Sequence, residues 1–68
     1  MFKKLFDELM EAKDADEITR IFYRAPDGID IAYQREKLSW ADSERLFLLG
    51  ARLQRLMMLE EQESGDAD

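Results

Sequence analysis

The chain has no cysteine and no histidine. Disulfide stapling is therefore excluded, and so is a zinc, iron or haem site of the usual thiolate or imidazole kind. The same absence removes Ser-His and Cys-His nucleophile pairs from the available chemistry. Proline occurs once and glycine three times, at positions 28, 50 and 65, too scattered for a dinucleotide-binding turn or a phosphate-binding loop. No apolar run approaches the roughly 18 residues that read as a membrane span. What is present is 68 residues, 46% hydrophobic and 38% charged. A chain of this length buries only about 60% of the surface its unfolded form exposes. It is expected to be one mostly helical domain that needs idealised packing or a partner.

The net charge of −6 is unevenly spread. Residues 1–59 hold ten basic and eleven acidic side chains, while Glu60, Glu61, Glu63, Asp66 and Asp68 follow with no Lys or Arg among them. The body is thus nearly neutral. The end of the chain, with its Ser and Gly, reads as a solubilising, disordered acidic tail over 62–68 after a domain of residues 1–61. Met1-Phe2-Lys3-Lys4-Leu5-Phe6-Asp7-Glu8 carries two Lys but leads into no uninterrupted apolar stretch, so no secretory signal is read and a cytoplasmic location is expected.

Four helices are predicted, in an all-α arrangement of three short helices on one long C-terminal helix. Phe2, Leu5, Phe6, Leu9 and Met10 form an amphipathic stripe, with Lys3, Asp7, Glu8 and Glu11 outside. The three acids of that polar face disfavour an anionic bilayer, so the stripe is assigned to the core and no membrane partner is expected. Asp14 to Glu17 is a D-x-x-E capping pattern that opens a second helix, with Ile18, Ile21 and Phe22 inward and an end near Arg24 ahead of Pro26. Pro26-Asp27-Gly28 is turn chemistry. A third helix is predicted from about 28 to 37, because no second strand exists to pair with Ile29-Asp30-Ile31. Ser39 caps the fourth, with Asp42 completing an S-x-x-D capping box, and this helix runs from Trp40 to about Glu61 with Leu46, Leu49, Leu53 and Leu56 as its seam and Phe47, Ala51 and Met58 widening it. Gly50 costs about 1 kcal/mol inside a helix, tolerable where another helix crosses closely.

Catalysis is not expected. The sixteen acids fall on outer helical faces beside bases at turn spacing, as Asp16 does with Arg20, which describes ordinary surface ion pairs. Asp27-Gly28-Ile29-Asp30 is a capped turn rather than a calcium loop. No catalytic residue, metal, cofactor or small-molecule substrate is therefore assigned. Two interaction surfaces are. The first is the end of the long helix. Leu53, Leu56, Met57, Met58 and Leu59 exceed what one small core can face, which points to a homodimer or a helical protein partner. The second, less favoured, is a basic patch of Arg20, Arg24, Arg35 and Lys37, near Tyr23, Tyr33 and Trp40 in sequence, that would contact nucleic acid or a DNA-binding protein. Against it stands the near-neutral body.

The run Ile31-Ala32-Tyr33-Gln34-Arg35-Glu36-Lys37-Leu38-Ser39-Trp40-Ala41-Asp42-Ser43-Glu44-Arg45-Leu46, preceded by Ala12 to Ile21, resembles a family of small helical accessory proteins carried by conjugative elements and prophages of gut bacteria. The resemblance spans residues 8–50 and implies a mobile genetic element as habitat, not an activity. The Leu38-Ser39 entry into a long apolar helix is also similar, over residues 38–56, to the haemolysin-expression-modulating co-regulators. That likeness implies a partner surface rather than an active site.

Overall fold

The computed structural model describes the backbone of residues 1–66 and the side chains of residues 1–60. The chain is all-α: α1 (Phe2–Glu11), α2 (Ala15–Tyr23), α3 (Ile29–Gln34) and α4 (Trp40–Asp66). No strand occurs among the described residues. The acidic tail expected over 62–68 lies outside the fully described residues.

Local signals set the helix starts. The Asp14 carboxylate accepts from the Glu17 amide at 2.8 Å, and the Glu17 carboxylate accepts from the Lys13 amide at 3.0 Å. Ser39 Oγ accepts from the Asp42 amide at 3.1 Å, which caps α4. Asp42 does not complete a reciprocal box; it turns instead toward Arg45, 3.9 Å away. Between α2 and α3 the Gly28 amide donates to the Arg24 carbonyl at 2.8 Å, so tightly that a Cβ on residue 28 would sit 2.4 Å from that oxygen.

The third helix is shorter than predicted. It ends at Gln34, where the Lys37 amide donates to the Ala32 carbonyl (2.8 Å) and the Glu36 amide to that of Tyr33 (3.0 Å). This is a Schellman closure, with Glu36 left-handed at φ 62°. The reversal turns Leu38 into the core and delivers Ser39 to cap α4. Burying Leu38 outweighs another helical turn.

The core joins Leu5 and Leu9 of α1, Ile18, Ile21 and Phe22 of α2, Ile29 and Ala32 of α3, and Leu38 with Leu46. Phe6 and Met10 were predicted inward but stand exposed, because α1's five-residue stripe spans a wider arc than its neighbours cover. Phe6 stacks on half-buried Phe2 instead, 6.1 Å between ring centroids.

The seam of α4 also departs from the leucine count. Its inward face is Ser43, Leu46, Gly50, Leu53 and Met57, while Leu49 is half-buried and Leu56 exposed. The register is set at Gly50: a Cβ there would lie 2.4 Å from Phe22 Cε1 and Cζ and 3.2 Å from Ile18 Cγ2. Helix α2 thus crosses α4 where α4 has no side chain. The two run antiparallel, since Gln54 Nε2 donates to the Ala15 carbonyl (2.9 Å) and Thr19 Oγ1 (2.7 Å), whereas Phe22 and Tyr23 meet Phe47 (ring centroids 5.0 and 6.2 Å). Ser43, the buried hydroxyl of the seam, donates to the Trp40 carbonyl at 2.8 Å. The molecule is elongated, 48 × 20 × 16 Å.

Candidate functional site

The three short helices cover one side of α4 and leave the other bare. Trp40, Ala41, Glu44, Arg45, Leu48, Ala51, Arg52, Arg55, Leu56, Met58 and Leu59 are all exposed. Large apolar groups stand among them, Trp40 and Leu48 each at 64% exposure and Leu59 at 48%. The predicted interface residues divide accordingly. Leu53 and Met57 pack against the core, whereas Leu56, Met58 and Leu59 face outward.

Cover fades along the helix. Leu46 is fully buried, Leu53 and Met57 partly so, and the apolar side chains that flank Met57 are half exposed. The outer face reaches further toward the start of α4 than the sequence pattern indicated, because Leu48 and Trp40 belong to it. Arg45, Arg52 and Arg55 belong to it as well, and sequence reasoning missed them. The signal was present: residues 45–59 hold these three arginines and no acid. Positions three and four away from Arg52 and from Arg55 are also without a carboxylate.

Beside this face an open groove of about 640 Å³ lies between α2, α3 and α4. Phe22, Tyr23, Tyr33, Trp40 and Phe47 give it an aromatic lining beside Leu48, and Asp30 and Glu44 are the charged groups at its walls. Asp30 is engaged by Gln34 Nε2 at 2.9 Å. The aromatics expected to accompany a basic patch thus stand beside carboxylates, which repel a phosphate rather than hold one.

Two of the predicted basic residues stand among acids. Arg20 and Arg24 line a separate groove between α1 and α2, in company with Glu8, Glu11, Lys13 and Glu17, three acids against three bases; Arg35 and Lys37 are not part of its lining. Arg24 is committed to the fold. Its guanidinium donates to Glu8 at 2.5 Å and to Asp27 at 2.8 Å, tying α1 to the turn after α2. Asp16 and Arg20, one turn apart on α2, form no ion pair; the pairs present among the described residues are Arg24 with Glu8, Arg24 with Asp27, and Arg45 with Asp42. Among the described residues no three acidic side chains gather as a metal site would need, and no helix is long and apolar enough to cross a membrane.

No protein-family model, curated protein or solved structure matches the chain. The outer face of α4 must therefore be read from its own chemistry.

Proposed function

We propose that the chain is a non-catalytic helical interaction module that self-associates through the outer face of α4. The observation that carries this reading is the exposure of Leu48, Leu56, Met58 and Leu59 along one helix whose opposite side is already packed. Fully burying such side chains is worth about 1.5–3 kcal/mol each before the cost of association. Open grooves and the lack of His and Cys support a binding role over a catalytic one. The resemblance to accessory proteins of mobile elements fits a cytoplasmic module of this kind. Contact with nucleic acid through Arg20, Arg24, Arg35 and Lys37 is disfavoured by the three acids that line the groove of Arg20 and Arg24 and by the engagement of Arg24.

Light scattering behind size exclusion, at micromolar concentrations, tests the reading. The expected mass is twice 8.0 kDa. The double variant Leu56→Lys/Leu59→Lys is expected to run as a monomer with an unchanged helical circular-dichroism spectrum. A wild-type monomer at every concentration overturns self-association. Loss of the helical spectrum in the double variant would assign those leucines to the intramolecular core.

A further inference from the structure

The outer face of α4 is arranged to read itself backwards. Along it, Trp40, Glu44, Leu48, Ala51, Arg55 and then Met58 with Leu59 recur every three or four residues, and every one is exposed. The order of chemistry is the same from either end: aromatic or large apolar, charge, apolar, apolar, opposite charge, large apolar. Its midpoint falls between Leu49 and Gly50. A C2 interface requires this kind of self-complementary patch, because each residue must meet what its own mate meets on the other copy.

We propose that two copies of the chain pair through α4 in antiparallel register, with the two-fold axis beside residues 49 and 50. The proposal rests on the self-association reading and specifies its geometry. In this register Glu44 of each copy faces Arg55 of the other, so one pair is formed twice. Leu48 lies over the small Ala51 of the second copy, and Trp40 meets Met58 and Leu59. The far end of each α4, which its own short helices leave bare, covers the aromatic mouth at the start of the other.

Charge is the strongest argument for a second copy as occupant. Glu44 and Arg55 are eleven residues apart, about 16 Å along the axis, too far to neutralise each other within one helix. Neither has an opposite charge three or four residues away on α4. Among the described residues neither forms an ion pair. An antiparallel mate supplies the missing partner to both at once. A parallel mate would set Glu44 beside Glu44 and Arg55 beside Arg55, which like-charge repulsion disfavours.

The test is a charge swap read by sedimentation equilibrium on the full chain. Glu44→Arg alone and Arg55→Glu alone each place like charges together at both ends of the pair. Each is expected to raise the dimer dissociation constant by about tenfold or more. The double variant Glu44→Arg/Arg55→Glu restores opposite charges and is expected to return it to within about threefold of wild type. All these positions are exposed, so circular dichroism should be identical throughout. Failure of the double variant to recover, or singles that dimerise like wild type, overturns the register and leaves self-association standing. A wild-type chain that never dimerises overturns both.

Discussion

The two faces of α4 share one backbone and nearly the same apolar content, yet they follow different rules. The inner face is Ser43, Leu46, Gly50, Leu53 and Met57, and two of those five, Ser43 and Gly50, are small, Gly50 where α2 presses close. The outer face has Trp40, Leu48, Met58 and Leu59 with charges set between them. Inner residues answer to packing density, where even a methyl group is felt. Outer residues answer to water until something covers them. A helix that is apolar on both sides is therefore held by contact on one side only, and the other side is where the proposed pairing can be tested.

A pair of matched truncations should separate the faces most sharply. Leu46 is fully buried, so Leu46→Ala is expected to cost about 3–4 kcal/mol, enough to unfold much of so small a domain. Leu48→Ala, two residues away and 64% exposed, is expected to change the stability of the monomer by less than about 0.5 kcal/mol. Urea unfolding at submicromolar protein, where association does not contribute, measures both. Equal losses would mean that the outer face is part of the intramolecular core.

Gly50 offers a smaller and more specific break. On an open helix surface Gly→Ala gains about 1 kcal/mol. Here the added methyl would lie 2.4 Å from the Phe22 ring, which is itself wedged against Tyr23 and Phe47. Overpacking of this kind costs about 1–3 kcal/mol, so Gly50→Ala is expected to destabilise by up to about 2 kcal/mol after the helical gain is subtracted. A midpoint that rises in thermal unfolding would show that α2 does not cross as closely as the geometry places it.

That same glycine explains why the fold was more legible in the sequence than the site. Element number and type followed from periodicity and caps: Asp14 and Ser39 announce their helices by the amides they will satisfy. The seam of α4 did not follow, because the eye counts leucines, and the inward register at its centre is marked by the absence of a side chain. Counting Leu46, Leu49, Leu53 and Leu56 rotates the helix, moving Leu56 in and Met57 out. Leu53 and Met57 were grouped with Leu56, Met58 and Leu59 but pack against the core, while Leu48 and Arg55 went unnoticed. The basic residues were legible by type but not by partner. Nothing in the sequence spacing pairs Arg24 with Glu8, sixteen residues away, yet its guanidinium bridges Glu8 and Asp27.

A further substitution acts in the stabilising direction and sharpens the account of how α4 is delivered to the core. Glu36 holds a left-handed backbone, φ 62°, so that Lys37 can reach the Ala32 carbonyl and Leu38 can turn inward. A residue with a Cβ is disfavoured in that conformation by about 1–2 kcal/mol. Glycine removes that cost but adds freedom to the unfolded chain worth about 0.4–1 kcal/mol. The difference favours Glu36→Gly by about 0.5–1 kcal/mol, seen as a higher urea midpoint with an unchanged slope. The carboxylate is exposed, so no packing is lost with it. Because residue 36 is not one of the residues of the outer stripe of α4, the variant should leave self-association unaltered. A gain in stability with no change in dimer mass would show that closing α3 and pairing α4 are separate events, the first serving the inner face and the second the outer.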